Sequence, residues 1–242
     1  MAGDDLAFAL RLADAADALT MERFRAADLR VETKPDLTPV TDADRSVERA
    51  LRGLVAAERT GEGVLGEEEG DDGTDARWIV DPIDGTRNFL RGVPVWATLV
   101  AFEREARVVC GVVSAPALGH RWWASAGGGA FRDGRPIRVS SVPRLEDAAV
   151  SCTFPRDLVT VEPLVWHLRG FGDFWQHVLV AEGAIDGAVD AGLSLWDYAA
   201  PVLVVVEAGG RATARSGEEP SPGEQLVTSN GLVHDELLAA IL

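Results

Sequence analysis

Apolar residues recur at helical spacing near the start of the chain. Leu6, Leu10, Leu12/Ala13, Ala16 and Leu19 fall on one face, and the pattern predicts a first helix over 5–29. Two prolines then break the run Lys34–Thr41, which reads as a loop. Thr41 or Asp42 caps a predicted second helix over 43–58, which stops near Gly61 and Gly63. Beyond it the period changes. Val64-Leu65 and Trp78-Ile79-Val80 are short unbroken apolar runs of the kind found in buried strands, separated by a polar turn over 70–76. Val93–Phe102 and Arg107–Ser114 form a predicted hairpin, and Arg121–Ser125 a further strand. The glycine-rich run Gly127–Ile137 reads as a turn between strands. It lacks the Lys-Ser/Thr ending of a Walker phosphate loop and leads to no clear helix.

The second half alternates. Ala148–Cys152 is a predicted strand, Asp173–Gly183 a helix and Ile185–Val189 a strand. Trp196–Ala208 is an apolar helix stopped by Gly209-Gly210, with Pro201 placed within about a turn of its start, where proline costs least. Arg211–Ala214 and Gln225–Ser229 are the last strands, and 233–241 the closing helix. This alternation favours an α/β layered fold in the second half, after an α+β first half. A boundary near residue 135 divides the chain into 1–135 and 136–242.

Composition bounds the partners. The 242 residues can bury one large core or two closely packed ones, and 47% apolar with 26% charged residues is ordinary for a globular protein. Asp4, Asp5, Asp14 and Asp17 in the first helix argue against a signal peptide, and no window of about 18 apolar residues suits a membrane span. Cys110 and Cys152 sit in apolar strand-like runs, which reads as reduced core thiols and fits a cytoplasmic location. A formal charge of −16 argues against nucleic acid as a partner, because phosphate backbones need clustered Lys and Arg. The same charge has two readings, a solvated acidic surface or carboxylates that hold metal ions, and composition does not separate them.

Spacing says more. Asp81-Pro82-Ile83-Asp84-Gly85-Thr86 follows a buried strand, where α/β folds place ligands. Pro82 fixes one φ angle and so relates the two carboxylates, and the Ile83 carbonyl offers a third oxygen; hard Mg²⁺ takes such donors. Gly85 and Thr86 then offer backbone N–H groups to a phosphate oxygen at a helix start. Read alone, the segment is equally a capped turn with surface aspartates. Glu67, after a short strand, is otherwise one acid in an acidic run, and Asp197 is otherwise an N-cap.

Together and in this order the pieces are specific. Gly66-Glu67-Glu68, then Val80-Asp81-Pro82-Ile83-Asp84-Gly85-Thr86, then Trp196-Asp197-Tyr198-Ala199 with Glu207-Ala208-Gly209-Gly210, resemble the inositol monophosphatase family of lithium-sensitive, Mg²⁺-dependent phosphatases. Lys34–Thr41 with Asp42-Ala43-Asp44 is similar to the family's mobile metal loop, and the resemblance runs from about residue 5 to 242. It implies the layered αβαβα sandwich of the inositol monophosphatase/fructose-1,6-bisphosphatase type and a homodimer. It implies a first Mg²⁺ on Glu67, Asp81 and the Ile83 carbonyl, and a second on Asp81, Asp84 and Asp197. A third, weaker ion is held partly by Glu67. Glu67 and Thr86 orient the attacking water, with Asp81 bridging the ions, and the Gly85 and Thr86 N–H groups hold phosphate. The physics agrees: a dianionic ester repels hydroxide, and cations offset both that repulsion and the repulsion among four acids. No Cys or Ser nucleophile with a partner His is evident. His120, His167, His177 and His234 show no metal spacing and read as surface or packing residues.

For the ester, Arg87 and the following Arg91–Thr98, with Arg169–Trp175 and Ala181-Glu182-Gly183, are similar to the histidinol-phosphatase branch, which implies histidinol phosphate as substrate and a place in histidine biosynthesis. Asp173 and Asp190 beyond the phosphate suit an ammonium and an imidazole better than a neutral polyol; Asp173 reads equally as a helix cap. The Ser140–Arg169 stretch is short for the family, which leaves inositol, nucleotide and other sugar phosphates as alternatives. A catalytically inactive binding protein is the alternative of another class, disfavoured because Glu67, Asp81, Asp84, Thr86 and Asp197 are all intact.

Overall fold

The N-terminal apolar stripe forms α1 (Ala2–Arg23). This helix is shorter than its spacing predicts: the chain turns at Arg25, which takes a left-handed φ of 64°. The proline-bearing stretch is flanked by a short antiparallel ribbon, β1 (Val31–Thr33) and β2 (Pro39–Thr41), which three paired positions each leave with no apolar signature. Thr41 caps α2 (Asp42–Glu58) in a reciprocal capping box with Asp44. A computed structural model describes residues 2–35, 38–153 and 160–241, so Asp36 and Leu37 of the predicted metal loop, and 154–159 of the short Ser140–Arg169 stretch, lie outside the described residues.

An eight-stranded sheet follows. β3 (Gly63–Gly66), β4 (Gly70–Asp71), β5 (Ala76–Asp84), β6 (Ala97–Arg104), β7 (Arg107–Ala115), β8 (His120–Ser125), β9 (Gly129–Arg132) and β10 (Arg135–Pro136) lie in the order β10-β9-β8-β7-β6-β5-β3-β4. The glycine-rich run is therefore two short strands around a tight turn rather than a turn alone. β5 is longer than the three apolar residues that predict it. It continues through Asp81 and Pro82 to Asp84, with a register irregularity against β6 between Asp81 and Asp84. Pro82 cannot donate to the ladder, and a bulge accommodates it. A short helix, α3 (Thr86–Leu90), lies between β5 and β6.

A second, five-stranded sheet takes β11 (Ala149–Cys152), β12 (His167–Arg169), β13 (Gly187–Asp190), β14 (Arg211–Ala214) and β15 (Leu226–Ser229) in the order β12-β11-β13-β15-β14. Its helices are α4 (Asp173–Ala181), α5 (Leu195–Glu207) and α6 (His234–Ala240). Pro201 falls in the second turn of α5, not the first, so it removes one internal hydrogen bond from that helix.

Face-by-face burial stacks these pieces. Trp78 and Val80 of β5 meet Phe8, Leu12, Val47 and Leu51 of α1 and α2, while Ile79 between them points to the opposite face, where Val178 of α4 and Val204 of α5 pack. α4 and α5 thus lie between the two sheets, and Leu237 of α6 packs on the outer face of the second sheet against Val150, Val189 and Val227. The result is the five-layer αβαβα sandwich. A sheet covered on both faces explains why its strands read as continuous apolar runs.

Candidate active site

The ends of several elements converge on a cavity of about 280 Å³. The C-terminal end of β5 supplies Asp81, Ile83 and Asp84, the turn after β3 supplies Glu67, and the first turns of α3, α4 and α5 supply Thr86, Asp173 and Asp197. Gly85, Arg87 and Asp190 line the same cavity. All ten residues expected from the sequence to hold metal, water or substrate therefore border one space, whereas Asp42 and Asp44 of the predicted metal loop do not line it.

Local hydrogen bonds aim these groups. Asp81 Oδ1 accepts from the Ile83 N–H at 2.9 Å, which folds the proline turn back on itself. Asp84 Oδ2 accepts from the Phe174 N–H at 2.7 Å, so it anchors the start of α4. Asp197 is not the N-cap of α5. Ser194 is, and Asp197, three residues on, accepts from the Ser194 N–H at 2.6 Å. Asp173 does not cap α4 with its side chain either; it begins the helix at a left-handed φ of 49°. The Thr86 hydroxyl donates to the Ile83 carbonyl at 2.9 Å. Gly85 has φ 81°, and a Cβ there would sit 3.1 Å from the Val95 carbonyl oxygen and 3.3 Å from Asp173 Oδ2, which is why the turn needs glycine.

Glu67 is presented by a device the sequence reading missed. Glu48 of α2 is fully buried, and its carboxylate accepts from the Glu68 N–H at 2.7 Å and the Glu69 N–H at 2.9 Å. A Cβ on Gly66 would overlap that carboxylate at 2.1 Å, so the glycine and Glu48 are one construction. The signal was legible: a glutamate on the apolar face of α2, between Val47 and Leu51. On the reading that Glu67 holds a metal ion, Glu48→Gln should raise the Mg²⁺ concentration needed for half-maximal phosphate release by roughly 10–100-fold, the usual cost of losing a partner behind such a ligand. An unchanged Mg²⁺ requirement would refute this role.

Electrostatics single out the cluster. Carboxylate oxygens of Asp81, Asp84 and Asp197 lie within 4.8 Å of one another. Burial pushes the Asp81 carboxyl well above the usual carboxylate range, and the charges of Glu67, Asp84 and Asp197 push it further. Asp84 is raised by burial, then by Asp173 and Asp197. Burial lifts Asp197 to about 7 and Asp173 to about 6. Glu67 faces a different partner: the Lys34 ammonium donates to it at 2.8 Å and pairs with Glu68 at 2.5 Å. Burial opposes the Lys34 charge, yet these bonds outweigh it and hold its pKa above the ordinary value. An all-oxygen set of acids, buried at Asp81 and half-buried at Glu67, Asp84 and Asp197, mutually repelling and drawing in the nearest ammonium, fits a hard divalent cation.

The profile of the inositol monophosphatase family matches residues 4–242. The chain belongs to that family. It is 51% identical over 257 residues to a histidinol-phosphatase of Mycobacterium tuberculosis, covering 100% of this chain and 99% of that one. It is 46% identical to a histidinol-phosphatase of Streptomyces coelicolor, covering 97% and 96%. Among solved structures, the Thermotoga maritima IMPase superposes with a TM-score of 0.92 at 32% identity, covering 98% and 96% of the two chains. The family is generally metal-dependent, which agrees with the acidic cluster. Family membership also makes the chain a phosphoric monoester hydrolase. No described helix is long and apolar enough to cross a membrane.

Proposed function

We propose that the chain hydrolyses histidinol phosphate to histidinol, with Mg²⁺ bound by Glu67, Asp81, Asp84, Asp197 and the Ile83 carbonyl in two or three positions. The observation that carries this reading is the convergence of Asp81, Asp84 and Asp197 on one cavity in a chain similar over its full length to histidinol-phosphatases. Bound Mg²⁺ supplies charge that offsets the dianionic ester and makes water a better nucleophile at neutral pH.

The chain's own groups do the positioning. The Thr86 hydroxyl donates its hydrogen bond to the Ile83 carbonyl, so its oxygen is left as an acceptor. Glu67 is also an acceptor once Lys34 releases it. Two acceptors on one water each accept a hydrogen bond from one of its O–H groups, which turns a lone pair toward phosphorus for in-line attack. Gly85 and Thr86 N–H groups hold phosphate oxygens. Arg87, at the cavity rim, adds positive charge, and Asp173 and Asp190 take the nitrogen-bearing half of the alcohol. Inositol 1-phosphate is the second reading, favoured by 37% identity to an inositol-1-monophosphatase of Rhizobium meliloti over 84% of this chain.

We also propose that the chain acts as a cytoplasmic homodimer in histidine biosynthesis, with its two parts meeting near residue 135. Buried Cys110 and Cys152, not joined in a disulfide, suit a reducing compartment. The deciding experiment compares release of phosphate from histidinol phosphate, inositol 1-phosphate, AMP and 3′-phosphoadenosine 5′-phosphate in Mg²⁺. The expected kcat/KM is highest for histidinol phosphate; a higher value for any other ester assigns the site to that ester.

A further inference from the structure

One side chain on the cavity wall has a buried polar atom with no partner. Asp190, at the end of β13, is 3% exposed and accepts from Gln176 Nε2 at 2.8 Å and from the Ala191 N–H at 2.9 Å. Gln176 is itself locked: its Oε1 accepts from the Ser151 hydroxyl at 2.9 Å, and its Nε2 also donates to Thr153 Oγ1 at 3.0 Å. The next residue on α4, His177, is 1% exposed and reaches the same carboxylate oxygen, but only to 3.7 Å. Its Nδ1 is 3.0 Å from Thr228 Oγ1 on β15, while its Nε2 has no hydrogen-bond partner.

The Thr228 hydroxyl can donate to Nδ1, which puts the ring proton on Nε2, directed at Asp190 Oδ2. A gap of 3.7 Å is too long for a hydrogen bond, and a buried donor left unmade is unfavourable. A carboxylate shift of less than about 1 Å closes it. Asp190 has no Lys or Arg paired to it among the described residues, so a cation arriving in the cavity is what can draw and hold that carboxylate.

We propose that His177 is a positioning residue for substrate choice: its Nε2–H completes a hydrogen bond to Asp190 when the alcohol half of the ester brings a cationic nitrogen to that carboxylate. The inference rests on the reading of the site as one for a cationic amino-alcohol phosphate. A neutral polyol lacks the charge that draws Asp190, so the bond forms with one class of ester and not the other. That makes it a differential contact, the only kind that sets specificity.

Two variants separate this role from simple packing. His177→Asn keeps a polar group at the place of Nδ1, facing Thr228, and removes Nε2. His177→Gln restores a donor near the place of Nε2. With purified full-length protein in Mg²⁺, kcat and KM are measured for histidinol phosphate and for inositol 1-phosphate. The ratio of the two kcat/KM values should fall about tenfold in His177→Asn, chiefly through KM for histidinol phosphate, and recover at least in part in His177→Gln. Equal losses for both esters, or a His177→Gln ratio no better than that of His177→Asn, would overturn the role of His177 while leaving the substrate reading intact. A wild-type protein with no preference for histidinol phosphate would instead overturn the substrate reading, and this inference with it.

Discussion

Asp81→Asn should lower kcat/KM for phosphate release by at least about 10³-fold, well beyond the effect of any group standing behind the ligands. The substitution keeps the shape of the side chain. An asparagine carbonyl can still accept from the Ile83 N–H, as Asp81 Oδ1 does at 2.9 Å, so the proline turn should persist. What disappears is one buried negative charge at the centre of the cluster. In chelator the same change should make the protein more stable, because burial first, and then the charges of Glu67, Asp84 and Asp197, disfavour the ionised Asp81 carboxyl. Initial rates and calorimetry on one preparation check both halves. A variant that keeps a tenth of wild-type activity, or that melts earlier than wild type in chelator, would contradict the assignment.

The second large effect is in pH dependence. Asp197 and Asp44 are both lifted to about 7 by burial, from an unfolded value near 3.8. A carboxyl with a raised folded pKa contributes stability that is fully present below the unfolded value and is lost as pH rises through the folded one. Metal-free protein should therefore become less stable between about pH 5.5 and 8, by up to about 2 kcal/mol from Asp197 alone. For a chain of this length that is a fall of roughly 4–8 °C in Tm. Mg²⁺ needs the ionised acids, so it should stabilise little at the acid end and most at the alkaline end, flattening or reversing the slope. Thermal melts in chelator and in Mg²⁺ across that range provide the check. Equal stabilisation by Mg²⁺ at both ends would refute it.

Much of this site could be read from residue order. The acids fall at the ends of strands and the starts of helices, and such positions depend on local patterns that a sequence carries openly. Asp81 and Asp84 follow an apolar run, and Asp197 opens another. What was hidden depends on contacts across long sequence separations. The extension of β5 through Pro82 needs the bulge against β6, which no local pattern encodes. The helix-cap alternative fails for Asp173 and Asp197 because the caps are Gly172 and Ser194, each just upstream. Glu48 reaches the Glu67 turn from a helix 20 residues earlier, and His177 reaches Asp190 only because α4 and β13 pack together. Lys34 was legible as part of a loop, but its hold on Glu67 and Glu68 needs the folded ribbon that carries it.

The most direct test of the account is phosphate release from histidinol phosphate by one preparation in three states: as purified with added Mg²⁺, after exhaustive chelation, and after Mg²⁺ is returned. The account predicts turnover, its loss to background, and its full recovery. Turnover that survives chelation, or that Mg²⁺ fails to restore to folded protein, would contradict it.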